Sequence, residues 1–378
     1  MLNKFTYILI ISFLCMFMNS EAQRRDTDII TQSFNVSKGG KLLVKINQGD
    51  VFIKTWEKEE VLIKADGIDE DDLATINFRK TGNTVIVDYK EQWGWGANAD
   101  YYFTVPSKFN IDVYTTGGDI EIKNNIEGNI DLKTMGGDIN LQSINGDLDI
   151  ETMGGDINLV NATGKSIIST HGGDITAQSL TGLVQSIKTM GGDISVHSVS
   201  SAKEIITYGG DISVDECKGD IGVATFGGNI EIGDVKGNVT AKTYGGDVEI
   251  TGAKGFVEVS TGGGNIELYN ITGAVDAKTG AGYIYVELNP SGEKDSDIKT
   301  SSGDITLVLP SRANTTVDAK VNANRSGSYN SEDIDSEFDG EITKTRNKTV
   351  GIYRINGGNK TSVRLTANNG TISIERKK

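Results

Sequence analysis

The sequence predicts an all-β protein: a parallel β-solenoid (β-helix-like) of about ten 18-residue coils, flanked by β-rich capping regions. Three observations lead to this prediction. A Thr-x-Gly-Gly-Asp phrase returns at a nearly constant interval, the residues between its copies alternate between apolar and polar, and glycine is abundant while proline is rare. Glycine supplies 47 of the 378 residues and proline three, a ratio typical of many tight turns between strands.

The period is measured at the residue that follows the glycine pair. This slot holds Asp119, Asp138, Asp156, Asp174, Asp193, Asp211, Asn229, Asp247, Asn265, Tyr283 and Asp304. The steps between neighbours are 19, 18, 18, 19, 18, 18, 18, 18, 18 and 21 residues. Chance does not maintain such a period through so many intervals, so the phrase marks a repeated structural unit.

Each unit contains two short strands. In residues 146–160, Leu148 and Ile150 share one side, and after the glycine pair Ile157 and Leu159 again share a side. This period-two alternation, with glycine or asparagine between the runs, predicts strands joined by tight corners. A strand pair of this size buries its apolar side only when units stack, which favours parallel coils in register; an array of hairpins is the competing topology.

The two ends differ from the repeats. Residues 1–22 have the pattern of a secretory signal peptide, with a basic start, an apolar stretch and small residues at the cleavage site. Residues 23–114 and 305–378 lack the 18-residue period, and we expect them to cap the open strand edges of a solenoid over 115–304. The C-terminal cap includes a polar stretch, 324–340, that predicts a mobile loop.

Because residues 1–22 have the pattern of a signal peptide, we expect an exported protein, periplasmic, surface-bound or secreted. We expect no transmembrane segment in the mature chain.

Charge and composition exclude several function classes. A net charge of -15 argues against nucleic acid or an anionic membrane as partner. His171 and His197 lack metal-ligand spacing, and no catalytic motif accompanies them. The sequence therefore predicts no cofactor, no metal site and no enzyme activity. A carbohydrate-active enzyme on a β-helix stays open as an alternative, and it requires a cluster of side chains that interrupts the repeat.

Stacking would turn each repeated position into a ladder along the rod. The threonine four residues before the aspartate should point inward, with its hydroxyl bonded to the next coil or to the corner backbone. Stacked aspartates repel by about 1 kcal/mol per neighbour at the dielectric constant of water. Either corner amides cap each carboxylate or a row of Ca²⁺ ions neutralises them in a β-roll-like rod. Asn229 and Asn265 fill the slot without disturbing the period, which favours capping.

The residue directly before the glycine pair is the main candidate for binding, because its alternation directs it outward. These candidates are Met135, Met153, His171, Met190, Tyr208, Phe226 and Tyr244. An exposed apolar strip of this length would be a recognition surface, and a self-stacking ladder at a corner is the competing interpretation. A second aromatic patch, either the core of a cap or a glycan-contacting surface, contains Trp93, Trp95, Tyr101 and Tyr102.

Three stretches carry a resemblance to a known family. The segments GDVFIKTWEKEEVLIKADG and VPSKFNIDVYTTGGDIEI and the returning GDI strands resemble the bacterial putative-adhesin family of β-strand-repeat domains of unknown function. The resemblance covers most of residues 35–378 and implies a solenoid-like all-β fold in the cell envelope, without known catalytic residues. We therefore expect an exported, non-enzymatic binding or scaffold module that presents its repeated side chains to a glycan or protein ligand.

Overall fold

A computed structural model describes residues 28–68, 75–89, 99–322, 333–358 and 360–378. Within these ranges the chain forms 32 β-strands and no helix. The all-β prediction is therefore confirmed. The proposed signal peptide, Trp93, Trp95 and residues 324–332 of the predicted loop lie outside the described residues.

Strands β1 to β8 precede the repeats and run over Asp28–Asn35, Gly40–Lys45, Val51–Trp56, Glu60–Ile68, Ile76–Thr81, Thr84–Tyr89, Asp100–Pro106 and Phe109–Tyr114. Strands β9 to β17 run over Ile120–Glu127, Ile130–Lys133, Ile139–Asn145, Leu148–Glu151, Ile157–Thr163, Ser166–Ser169, Ile175–Lys188, Ile194–Ile206 and Ile212–Cys217. Strands β18 to β26 run over Ile221–Ala224, Ile230–Val235, Val239–Lys242, Val248–Ala253, Phe256–Thr261, Ile266–Thr279, Ile284–Pro290, Ser296–Thr300 and Ile305–Leu309. Strands β27 to β32 run over Thr315–Asn322, Ile334–Ser336, Glu341–Thr345, Lys348–Ile355, Thr361–Asn368 and Ile372–Arg376.

Successive coils pair in parallel and in register. Ile157 pairs with Ile139 of the preceding coil and with Ile175 of the following coil, while Leu148 pairs with Ile130 on the other face. The repeats therefore form two parallel sheets, and strands β15, β16 and β23 are long enough to run through both of them. This pairing confirms the parallel solenoid and excludes the hairpin array over the repeats.

The core is a column of Ile, Val and Leu side chains between the two sheets. One coil contributes Ile139, Leu141, Ile144, Leu148 and Ile150, each at most 2% exposed. Along the longer strand of the coil the buried positions change from a spacing of two, at Ile139 and Leu141, to a spacing of three at Ile144. The next coil repeats this spacing in register, so equivalent side chains stack on one another, and a register shift between β9 and β11 accommodates one extra residue in β9.

The parallel stack extends into both flanks. Strand β2 pairs with β8, and β3 pairs with both β7 and β9, so residues 40–56 form a coil although they lack the Gly-Gly-Asp phrase. At the other end β31 continues the sheet of β25, and β32 continues that of β26. Antiparallel pairs β1–β4, β5–β6 and β29–β30 lie outermost. Division into caps and rod at residues 114 and 305 stays a prediction.

Two smaller features complete the description of the fold. Cys217 is a buried free thiol in the column, and burial raises its pKa above the usual value. The part of the chain that the structure describes contains no helix of the length and hydropathy needed to cross a bilayer.

Candidate recognition surface and its supporting ladders

The Gly-Gly corner is set by close contact between coils. A Cβ on Gly155 would lie 2.0 Å from the carbonyl oxygen of Gly137 in the preceding coil, whereas a Cβ on Gly154 would meet nothing nearer than 3.7 Å. Positive φ is not the reason for these glycines, because no glycine in the pairs from 117–118 to 263–264 has a positive φ. The second glycine is required because a side chain would collide with backbone.

The threonine ladder ties each coil to the one before it. Thr152 is completely buried, and its Oγ1 donates a hydrogen bond of 2.9 Å to the carbonyl of Gly137. The same oxygen accepts a bond of 3.3 Å from the backbone N–H of Gly155. Equivalent donor bonds of 2.8–3.0 Å recur from Thr134 to Thr300. The threonine hydroxyl therefore bonds to both partners proposed from the sequence, the neighbouring coil and the backbone of its own corner.

The aspartate ladder is capped by backbone. Asp156 Oδ1 accepts a hydrogen bond of 2.8 Å from the backbone N–H of Asp174 in the next coil. Bonds of the same kind, 2.6–3.1 Å long, recur from Asp50 to Asn265, and Asp304 Oδ1 accepts one more, from the backbone N–H of Thr371. Asn229 and Asn265 serve equally well, because the bond needs only a side-chain oxygen and an amide supplies one. These contacts support capping as the function of the slot.

The opposite corner carries a partial ladder of the same kind, which the sequence reasoning missed. Asn129 N–H donates to Asn110 Oδ1 at 2.9 Å, and Lys165 N–H donates to Asp147 Oδ1 at 3.0 Å. The pattern returns at Asp220 and Asn238. Asn and Asp recur irregularly at this corner, so only their shared position next to the strand could have revealed the ladder.

Replacing Asp156 separates capping from cation binding. Asp156→Asn keeps the accepting oxygen, so we expect its free energy of unfolding to stay within about 0.5 kcal/mol of the wild type. Asp156→Ala loses the cap and should cost about 1 kcal/mol. Urea unfolding measures both, and EDTA should leave the melting temperature unchanged. A fall in melting temperature with EDTA would instead favour the Ca²⁺-dependent rod.

The outward residue before the glycines forms a continuous surface, here called the Met/aromatic strip. It consists of Met135, Met153, His171, Met190, Tyr208, Phe226 and Tyr244, all of them exposed. The apolar members are 44–71% exposed. At about 4.8 Å per coil, the strip extends for about 29 Å along one edge of the rod. The predicted outward direction is correct, and a role of the strip in binding stays a prediction.

The aromatic members of the strip stack on one another. Ring centroids of Tyr208 and Phe226 are 4.9 Å apart, and those of Phe226 and Tyr244 are 5.1 Å apart, with interplanar angles of 2° and 11°. Neighbouring rings therefore cover each other's faces and leave their edges exposed to solvent. Tyr244 ends the stack, since Gly262 occupies the next position.

The second predicted patch is divided by the fold. Tyr101 points into the core and is completely buried, so it cannot contribute to a contact surface. Tyr102 is 41% exposed and stacks on Phe52, with ring centroids 4.9 Å apart. The two residues are neighbours on one strand, and opposite sides of a strand face opposite environments. Phe52 was not singled out from the sequence, although its alternation on β3 places it outward.

A tyrosine cluster interrupts the aspartate slot near the C-terminal end of the repeats. Tyr283 and Tyr269 both donate hydrogen bonds to Glu267, and this lowers the pKa of that carboxyl. Tyr285 donates to Glu287 at 3.0 Å, and Lys377 Nζ donates to the same carboxylate at 2.8 Å. The hydrogen bond to Glu267 raises the pKa of Tyr283 to about 12. The alignment of the repeats places Tyr283 where most coils have aspartate, and this irregularity was the sequence feature that could have revealed the cluster.

A row of carboxylates lies on the sheet that contains β8, β10 and β12. Asp131 lies between its pairing neighbours Asp112 and Asp149 in a cleft of about 400 Å³, and Lys41 Nζ contacts Asp112 at 2.7 Å. Partial burial, with the two neighbouring carboxylates adding to it, raises the pKa of Asp131. No group of His, Cys, Asp and Glu arranged to hold a metal ion is found in the described ranges.

Comparison with known proteins identifies a family and several similar solved structures. A family model described as Toastrack DUF4097 matches residues 40–255 and 207–375. No curated protein matches the chain. A putative adhesin from Bacteroides fragilis NCTC 9343 is 12% identical, with 93% of this chain and 97% of the other covered and a TM-score of 0.23.

Two other solved structures are similar to the same degree. For a putative adhesin from Parabacteroides merdae ATCC 43184 the values are 10% identity, 92% and 95% coverage and a TM-score of 0.26. A putative lipid binding protein from Parabacteroides distasonis ATCC 8503 is 14% identical, with 74% of this chain and 96% of the other covered and a TM-score of 0.27. TM-scores this low support no conclusion about function or ligand.

Proposed function

This chain belongs to the Toastrack DUF4097 family, and from that premise we propose that it is a non-enzymatic binding module of the cell envelope. In this proposal the Met/aromatic strip holds a protein partner along one edge of a rigid rod. The observation that carries it is the strip itself, a run of exposed apolar side chains held at a fixed spacing by buried ladders. Export is supported by the signal-like pattern of residues 1–22.

The geometry of the strip favours a protein over a glycan as the partner. Sugars stack on the faces of aromatic rings, but both faces of Phe226 are covered by Tyr208 and Tyr244, so a free ring face is left only at the two ends of the stack. The exposed ring edges and the flexible methionine side chains at the other end are suited to an apolar protein surface. Removal of such anchors from an interface weakens binding much more than removal of peripheral residues.

Simultaneous replacement of Tyr208, Phe226 and Tyr244 by serine should abolish partner binding and leave the solenoid folded. Stability should fall by about 1–3 kcal/mol, because two ring contacts worth about 0.5–1.5 kcal/mol each are lost. To identify the partner, a photo-crosslinking phenylalanine analogue is introduced at Phe226 in cells. Affinity for the crosslinked protein is then measured directly with purified wild type and triple variant.

Two matched controls make this experiment decisive. The same crosslinker at Thr240, an outward position on strand β20 and away from the strip, should give no product. A second triple variant, Ser195→Ala, Ser213→Ala and Glu231→Ala, should bind as the wild type does. Equal crosslinking at both positions, or equal affinity of the aromatic triple variant, would refute the strip as the contact surface.

The alternative of a carbohydrate-active enzyme has one supporting observation, the cleft around Asp131. Glycoside hydrolysis uses a pair of carboxyl groups, one of them with a raised pKa, and Asp131, whose pKa is raised, is a pairing neighbour of Asp149. The three aspartates also occupy equivalent positions in consecutive coils, which stacking alone explains. Release of reducing ends from polysaccharides by the wild type, lost in Asp131→Asn, would establish the enzyme; activity equal to a protein-free blank would exclude it.

A further inference from the structure

The N-terminal end of the rod carries a cleft that is separate from the Met/aromatic strip. It has a volume of about 530 Å³ and is formed by the outward side chains of four adjacent strands, β4, β7, β3 and β9. Volumes of about 300–1,000 Å³ are typical of small-ligand sites. Phe52, Tyr102, Lys54, Lys64 and Lys123 are among its lining residues.

Strand pairing arranges the lining in two rows. Lys64, Tyr102, Phe52 and Glu121 are successive neighbours across the strands in the first row. Leu62, Thr104, Lys54 and Lys123 form the second row in the same order. An aromatic pair at the centre therefore has lysines on two sides.

The second feature of the cleft is its positive charge. The chain has 37 basic and 52 acidic residues, yet three lysines converge on this cleft. Lys54 and Lys123 are direct neighbours on adjacent parallel strands, a like-charge pair that destabilises a sheet unless an anion compensates it. Glu121 contacts Lys123 at 3.1 Å, but it compensates only one of the three charges.

The aromatic pair supplies a platform. Phe52 and Tyr102 stack with ring centroids 4.9 Å apart and an interplanar angle of 14°, and Tyr102 is 41% exposed. Side by side across the strands, the two rings form an apolar surface at the centre of the cleft, and the C–H groups of a sugar ring can pack against it. Asp66 and Asp100 lie one row further out and can accept hydrogen bonds from sugar hydroxyls.

The row that contains the platform continues along the rod as uncharged polar side chains. Glu121 pairs with Asn140, then Asn158 and Thr176 follow in consecutive coils. Asn158 Nδ2 donates to Asn140 Oδ1 at 3.1 Å. Amides and hydroxyls at about 4.8 Å spacing can bond the hydroxyls of a longer saccharide chain.

From these features we propose that the cleft binds an acidic saccharide. A sugar ring packs against Phe52 and Tyr102, and the anionic group of the ligand lies at Lys54 and Lys123. The hydroxyls point towards Asp66 and Asp100, which lie at the end of the cleft opposite to Lys54 and Lys123 and so fix the orientation. The inference is independent of the strip and its protein partner.

The test uses an array of oligosaccharides that carry uronate, sialate or sulfate groups, each beside its neutral counterpart. Calorimetric titration of the purified protein with the best binder then gives the affinity. We expect an acidic oligosaccharide to bind, and we expect Tyr102→Ala to weaken binding about tenfold. The combined change Lys54→Gln, Lys64→Gln and Lys123→Gln should weaken it at least as much and reduce its dependence on salt.

Three controls make the result interpretable. Lys242→Gln, Lys278→Gln and Lys299→Gln together remove the same charge from the other sheet and should leave the affinity unchanged. The strip variant with serine at 208, 226 and 244 should also bind as the wild type does, which separates this site from the protein-binding proposal. Thermal unfolding confirms that each variant is folded.

The outcomes that overturn the proposal are equally specific. The proposal is wrong if no acidic oligosaccharide on the array binds the folded wild type, or if the neutral counterpart binds equally well. Alternatively, the control lysine variant loses as much affinity as the cleft variant, which would show attraction by overall charge without a site.

Discussion

Replacement of Gly155 by alanine should lower the free energy of unfolding by about 3 kcal/mol or more. The new Cβ would lie 2.0 Å from the carbonyl oxygen and 2.4 Å from the carbonyl carbon of Gly137. Both atoms belong to backbone that is held by strand pairing on each side, so no rotamer change relieves the contact. Overpacking against mobile side chains costs about 1–3 kcal/mol, and a backbone obstacle should reach or exceed the upper value.

Gly154→Ala is the matched control, since it adds the same methyl group one residue earlier. Its nearest neighbour would be the carbonyl oxygen of Met135 at 3.7 Å, an ordinary van der Waals distance. Alanine at a compatible position stabilises by about 0.4–1 kcal/mol through the unfolded state. Chemical denaturation of both variants measures the difference, and equal destabilisation would show that contact between coils is not what selects the second glycine.

Replacement of Thr152 by valine should cost about 2–4 kcal/mol. Valine has nearly the same shape and suits a strand, but it removes the bonds to the Gly137 carbonyl and the Gly155 N–H. Each buried polar group that loses its partner costs about 1–3 kcal/mol. Thr152→Ser retains the hydroxyl and should keep most of the stability.

Urea unfolding of the threonine, serine and valine forms at position 152 measures this effect. A small loss for valine together with a large loss for serine would show that the threonine methyl group, and not its hydroxyl, stabilises the corner. In stacked repeats, stability is approximately a sum of terms from each unit and its neighbours. Damage at one coil should therefore reduce the stability of nearby coils more than that of distant ones.

Strand pairing in parallel and in register could be predicted because the sequence repeats itself. Once an 18-residue unit alternates in hydrophobicity and cannot bury its apolar side alone, stacking equivalent residues is the arrangement that buries Ile139, Ile157 and Ile175 together. The same reasoning gave the direction of Met135 and Thr134 correctly, since adjacent residues on an extended chain point to opposite sides. It also identified the family resemblance that the match over residues 40–375 confirms.

Features without a period were harder to predict. The coil formed by residues 40–56 contains Gly49-Asp50 but no repeated phrase, so its place at the start of the aspartate ladder was missed. Tyr101 and Tyr102 were taken as one patch, although alternation separates them into core and surface. Phe52 meets Tyr102, and Lys54 meets Lys123, across sequence separations of about 50 and 70 residues that no local pattern encodes.

The sequence by itself determined the strands, their stacking and the inward or outward direction of each repeated side chain. Period and alternation are properties of the chain alone, and burial then admits a single register. Only the tertiary structure shows why the second glycine is present in every repeat, how the carboxylates are capped and where a cleft forms. Those features depend on distances of a few ångströms between different coils, which are set only when the coils stack.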